Sequence, residues 1–230
     1  MEQFAITLSY ISLISVLIPI ITYVAFPNYF KAGSVISGLI LASLVADIAN
    51  ECYTQAGQNG FLIINSFFTI QFLLLNRFYH YLMNNKLFIK LIVIAYAFLV
   101  ILNSLFYQSF NEFQHLLRVY ESIALIAYAS ISYYNLFKNP STDKRFNLFV
   151  LWINMGVLFY FFFNLYLFGI SNYILKQMFR DDAMIIWGSH SFNNVVKNVL
   201  FAIGLYEAGK KKHGGFPGCM ENTEIRNPTE

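Results

Sequence analysis

The sequence predicts an all-α, polytopic membrane protein, a bundle of seven transmembrane helices. Its residues are 57% hydrophobic and 12% charged, about half the charged share of a typical soluble domain, which is roughly 25%. The charges fall in short clusters between long apolar runs rather than being spread along the chain. Seven of those runs approach the roughly 20 residues that cross a hydrocarbon core. Residues 1–209 are therefore expected to form the membrane domain, and 210–230 a disordered cytoplasmic tail.

The first run, Phe4–Phe26, lacks the basic leading region and small-residue cleavage site of a signal peptide, so it is expected to stay as a helix. Pro19 inside it has no N–H and frees a carbonyl one turn back, which predicts a kink. Ala32–Asn50 begins after Lys31 and ends at Glu51, which is expected in a loop or in the last helical turn. Phe61–Leu82 lies between Gly60 and the Asn84–Asn85 pair, and Leu87–Tyr107 follows directly. Polar residues Gln108–His115 separate Tyr107 from Leu116–Phe137, and the Pro140–Arg145 stretch leads to Leu148–Ile170. A connection at Ser171–Met184 precedes the last run, Ile185–Tyr206. Tyr107, Tyr133, Tyr134 and Trp187 near segment ends read as an interfacial aromatic belt.

Charge placement gives an orientation. Lys31, then Arg77, Lys86 and Lys90, then Lys138, Lys144 and Arg145, then Lys210, Lys211 and Lys212 mark alternate connections and the tail. Glu51–Gly60 and Gln108–His115 carry no Lys or Arg, and Ser171–Met184 balances Lys176 and Arg180 against two aspartates. The positive-inside rule puts the amino terminus outside and the carboxyl terminus in the cytoplasm, expected here across a bacterial inner membrane. A net charge of +3 held in loops argues for membrane orientation and against nucleic-acid binding. Membrane lipids are the expected partners of the three tail lysines. Cys52 and Cys219 fall near opposite faces, so no intramolecular disulfide is expected.

Lys197, in the middle of the last run, is the residue most out of place. A charge at a helix centre costs about 2.5–3.5 kcal/mol on insertion scales and usually faces a bundle interior or wet cavity. His190, Asn194, Lys197 and Phe201 follow i, i+4, i+7, i+11 spacing and share a face, with Asn193 and Asn198 flanking it. In the predicted topology Asp47, Glu51, Arg118 and Glu121 lie at similar depths. These nine polar residues form the candidate ligand or ion cavity: Asp47, Glu51, Arg118, Glu121, His190, Asn193, Asn194, Lys197 and Asn198. Structural alternatives stand beside it. Arg118 and Glu121 are three apart and suit a local ion pair, and Lys197 suits a helix-locking pair with Asp47 or Glu121. Asn65, Gln71, Asn103, Asn154 and Asn164 read as hydrogen-bonding glue between helices.

Catalytic and cofactor motifs are absent from the sequence. It has no His-Glu-x-x-His helix and no Gly-x-Ser-x-Gly elbow, and the tail lacks zinc-ligand spacing and a prenylation box. Lys197 has Asn193 four residues before it, and the third apolar run holds no carboxylate. A retinal Schiff base would therefore lack its counter-ion. No cofactor and no metal are expected. The Gly38–Asp47 run GLILASLVAD resembles the aspartate-bearing helix of lysoplasmalogenases, which keeps an intramembrane lipid-modifying enzyme as a third reading. More broadly, Asp47, Asn65 and the W-x-x-H-x-x-x-N pattern of Trp187, His190 and Asn194, continued by Asn198, resemble a family of uncharacterised seven-helix membrane proteins common in Bacteroidota. Similar regions serve as sensor modules. The resemblance implies a receptor-like protein that binds a small ligand in an outward-facing polar cavity and signals through a cytoplasmic partner or a homo-oligomer. The alternative is a small transporter or channel.

Overall fold

The computed structural model describes residues 2–27 and 30–210. Among them are eight helical stretches and no strand: α1 (Glu2–Ser15), α2 (Leu17–Ala25), α3 (Lys31–Gln55), α4 (Phe61–Leu82), α5 (Lys86–Phe106), α6 (His115–Lys138), α7 (Lys144–Gln177) and α8 (Arg180–Gly209). Lys211, Lys212 and Cys219, with the rest of the expected tail after Lys210, lie outside the described residues.

α1 and α2 form one rod, interrupted at Val16, which keeps right-handed helical angles (φ −63°, ψ −26°). Pro19 sits three residues later and cannot donate to the Ser15 carbonyl, so the ladder loses a rung where the rod breaks. Other starts are fixed by side chains. Asn85 Oδ1 accepts from the Phe88 amide at 3.1 Å to cap α5, and Asp143 Oδ1 accepts from the Arg145 amide at 2.9 Å to cap α7.

Two boundaries differ from the sequence reading. α3 continues to Gln55, so Glu51 is helical and accepts a 2.9 Å hydrogen bond from Gln55 Nε2. The expected Ser171–Met184 connection is almost entirely helix, and only Met178 and Phe179 separate α7 from α8. The charges there mark where apolar character ends. The backbone ladder continues past that point, because polar residues sustain a helix as readily as apolar ones. At about 1.5 Å per residue, the 34-residue α7 is roughly 51 Å long, well beyond a hydrocarbon core of about 30 Å.

The helices close into a ring. The α1–α2 rod packs on α8, α8 on α7, α7 on α6, α6 on α4, α4 on α3, and α3 returns to α2. α5 lies outside the ring against α4 and α6. α1 and α8 run parallel, because Ser9, Ser12 and Ser15 meet Ser191, Asn194 and Asn198 in ascending order. The basic connections share one end, where Arg145 Nη1 donates to the Lys210 carbonyl at 3.2 Å and Phe30 packs edge-on to Phe146. The other end is tied by Asn65 Nδ2, which donates to the carbonyls of Phe110 and Glu112 at 2.8 and 2.7 Å, and by Phe113 against Trp187.

Five helical spans are long and apolar enough to cross a membrane: Ile6–Ala25, Lys31–Gln55, Phe61–Leu82, Lys86–Phe106 and Lys144–Ser171. α6 and α8 match them in length, at 24 and 30 residues, but carry more polar side chains. The surface is inverted relative to that of a soluble protein. Val24, Val45, Leu105 and Phe106 are at least two-thirds exposed, whereas Asn65, Asn154, Asn164 and Ser171 are fully buried. That distribution fits a bundle solvated by lipid, in which polar residues join helices. Tyr79 of α4 donates to Asn154 Oδ1 of α7 at 3.0 Å, and Asn154 Nδ2 donates to Ser132 of α6 at 2.9 Å. Tyr128 of α6 returns a bond to Asn76 of α4 at 3.0 Å.

Glycine allows the closest approaches. A Cβ on Gly156 of α7 would lie 2.8 Å from the Phe201 ring of α8, and one on Gly209 would collide with the Phe26 backbone carbonyl. A ring can shift aside more easily than a carbonyl at a chain turn. Gly209→Ala is therefore expected to lower thermal stability in nanodiscs by about 1–3 kcal/mol, the usual cost of overpacking. Gly38→Ala, with nothing within 4 Å, should leave it unchanged or slightly raised. Equal effects of the two substitutions would refute the close approach.

Candidate functional site

A cavity of about 730 Å³ lies between α1, α3, α4, α7 and α8. It runs from Met178 at the α7–α8 turn down to Lys197 in the middle of α8. Helix direction orders its walls. Ile6 of α1, Glu51 of α3, Ile64 of α4 and Met184 of α8 lie near the turns, while Leu13, Asp47, Phe68 and Lys197 lie deeper on the same helices. The deep end is charged. The upper walls are mostly apolar, with Asn50 and Glu51 at the rim.

Lys197 is 6% exposed and lines the deep end. Its Nζ stands 4.5 Å from the centre of the Tyr160 ring, a cation–π arrangement. No carboxylate among the described residues lies within 4 Å of it. Asp47, half-buried on the facing wall, is the carboxylate whose charge reaches it. The expected close pair with Asp47 or Glu121 is thus not formed. Glu121 is taken by Arg118, and Asp47 stands off across the cavity.

His190 is held by an acceptor. Asn164 Nδ2 donates to the Tyr160 carbonyl at 2.8 Å, so Asn164 Oδ1 faces His190 Nδ1 at 3.0 Å and Asn193 Nδ2 at 3.2 Å. An amide oxygen only accepts, which assigns the imidazole proton to Nδ1 and leaves Nε2 as an acceptor on a ring that lines the cavity. Tyr160, Phe168 and Trp187 surround the ring with centroids 5.7–5.9 Å away. Trp187, expected in an interfacial belt, is instead a wall of the cavity, because α8 begins at Arg180 and places it almost two turns inside the helix.

The sequence candidates divide into two groups. Asp47, Glu51, His190, Asn194 and Lys197 come together around the cavity. Asn193 and Asn198 do not line it: Asn193 bonds Asn164, and Asn198 donates to Ser15 Oγ at 2.8 Å, locking α8 to α1. Arg118 and Glu121 also lie elsewhere, since α6 contributes no wall. Both are 1% exposed and joined at 2.5 Å, and the guanidinium stacks 3.6 Å over the Phe68 ring. Similar depth in the sequence reading did not mean the same chamber: the Phe68 ring, which lines the cavity and lies under the Arg118 guanidinium, stands between. Sequence reasoning missed Ser12 and Tyr160 as parts of the site, while Asn164, read as glue between helices, joins α7 to His190 and Asn193 of α8. The Ser9, Ser12, Ser15 stripe at i, i+3, i+6 was the available signal for the α1 contact. Among the described residues no three His, Cys, Asp or Glu side chains gather as a metal site.

Comparison with protein-family models, curated proteins and solved structures finds no match.

Arg118 Nη1 bonds Glu121 Oε2, while Arg118 Nε and Glu121 Oε1 are buried without a hydrogen-bond partner among the described residues. Removing one charge strands the other in a dry interior, a loss of about 3–5 kcal/mol, whereas removing both is far milder. Arg118→Met is expected to destabilise the protein strongly, and Arg118→Met with Glu121→Gln to recover most of the loss in a thermal-melt double-mutant cycle. Additive losses would show that the pair does not bear the charge burial.

Proposed function

We propose that this is a seven-crossing integral membrane protein that binds a small ligand in an outward-facing cavity and relays occupancy through helix movement to a separate partner. The observation that carries this reading is Lys197, buried in a 730 Å³ cavity with no carboxylate of the described residues in contact. A lysine that only locked helices together would be expected to hold its counter-charge closely. Here the ammonium rests on an aromatic face and leaves its other donor directions for an occupant.

The crossing number and orientation have separate support. Parallel, adjacent α1 and α8 require an odd number of crossings if each crosses once, and Lys31, Lys86, Lys144, Arg145 and Lys210 cluster at one end. Positive-inside placement makes that end cytoplasmic and turns the cavity mouth outward. Transport is the second reading: the backbone rung lost at Pro19 lies at Ser15, whose side chain bonds Asn198 of α8.

Thiol chemistry tests both orientation and binding. In intact cells an impermeant methanethiosulfonate is expected to modify Cys52, which is exposed, while Cys219 reacts only after lysis. The reverse pattern would turn the cavity mouth to the cytoplasm. In a Cys52→Ser background, Ser191→Cys on the cavity wall should react from outside, and a small-molecule cell extract should slow that reaction severalfold. Lys197→Met should abolish the protection while leaving insertion and melting unchanged. If Lys197→Met instead unfolds the protein and Asp47→Asn rescues it, Lys197 is a structural partner and the binding role falls.

A further inference from the structure

The cavity floor presents two opposite charges to one space. Lys197 and Asp47 both line it, on facing helices, separated by more than 4 Å and electrostatically coupled. A direct ion pair would satisfy both groups at once, yet neither side chain is in one. A bound anion alone would satisfy the ammonium and repel the carboxylate, and a bound cation would do the reverse. A species carrying both signs satisfies each without stranding the other.

Resting on the binding proposed above, we infer that the ligand is a zwitterion with an apolar portion, its anionic group on Lys197 and its cationic group on Asp47. The neighbouring groups fit that division. Ser12, whose Oγ accepts from Asn194, lines the same depth, Ser43 bonds the Asp47 carboxylate and holds it at the cavity wall, and His190 Nε2 higher in the wall accepts from an ammonium. Above the charges, Ile6, Ile64, Phe67, Met178, Met184 and Trp187 make an apolar sleeve. A ligand that was charged throughout would leave that sleeve wet, whereas an apolar end displaces its water favourably. Glu51 and Asn50 at the rim keep the entrance polar.

Two sources supply this chemistry: a free amino acid with an apolar side chain, or a phosphoethanolamine headgroup with its acyl chain. Trp187 provides the readout. Replacing the protein's other tryptophan, Trp152→Phe, leaves one indole in the cavity wall. This variant, in phosphatidylglycerol nanodiscs that contain no zwitterionic lipid, is titrated at pH 7 with L-leucine and with lysophosphatidylethanolamine. One-charge controls are N-acetyl-leucine, leucinamide and lysophosphatidylglycerol.

At least one zwitterion is expected to shift Trp187 emission saturably, with a Kd at least tenfold below those of its one-charge controls. Binding of leucine alone assigns a free amino acid, and binding of the lysolipid alone assigns a headgroup. Lys197→Met should raise the zwitterion Kd at least tenfold and make leucinamide the better leucine-type ligand. Asp47→Asn should favour N-acetyl-leucine, and it decides the matter by itself if Lys197→Met fails to insert. Controls that bind as well as the zwitterions, or two silent zwitterions, overturn the inference. Where the cell extract still protects Ser191→Cys, that failure is confined to ligand class. Where it does not, the binding role fails with it.

Discussion

In a bundle whose outer surface is apolar, a buried polar group cannot turn to water, and an unsatisfied one costs several kcal/mol. α8 is where this constraint acts hardest. It carries His190, Asn193, Asn194, Lys197 and Asn198 within three turns, yet its other faces must still pack. The solution is enclosure on two sides. α1 meets α8 with a row of serines, α7 meets it with Asn164, and the open sector between them becomes the cavity. The ring order of the helices follows from that need, because α8 must border both the first rod and α7.

A second polar layer obeys the same rule differently. Arg118 and Glu121 are paired in the buried interior with the guanidinium over the Phe68 face, and neither lines the cavity. Asn65 lies directly beneath, with Arg118 Nη2 3.5 Å from its carbonyl, and its side chain clamps the α5–α6 turn. Phe68 therefore stands between one chamber that holds charges apart and one that holds them together. The first arrangement has room for an occupant, and the second has none.

The helices were legible because the code for them is one-dimensional. Length, apolar composition and Gly, Pro or charge punctuation placed α4 to the residue, put the ends of α5 and α6 within one residue, and identified the Pro19 interruption. The α7–α8 connection was misread because hydropathy reports solvent and not backbone hydrogen bonding. In the site, the shared face of His190, Asn194 and Lys197 was legible from helical spacing alone. Which helix faced Lys197 was not, since periodicity within a segment carries no information about its neighbour across the bundle. Arg118 and Asp47 looked equivalent for that reason. Tyr160 was hidden in the aromatic-rich α7, where nothing in the sequence separates a lining ring from a lipid-facing one.

The parallel seam between α1 and α8 also sets an order of events in synthesis. Ser12 and Ser15 leave the ribosome 182 and 183 residues ahead of the asparagines they bond. At about 5–20 residues per second, they wait roughly 10–40 s for those partners. Throughout that interval their α8 partners do not yet exist, and a bond within the helix, such as that of Ser15 to the Ser12 carbonyl, is the nearest substitute. The cavity likewise has no fifth wall until α8 arrives, so a chain stalled before α8 holds Asp47 without Lys197. The last helix is thus the one that closes the ring, filling the gap between the α1–α2 rod and α7.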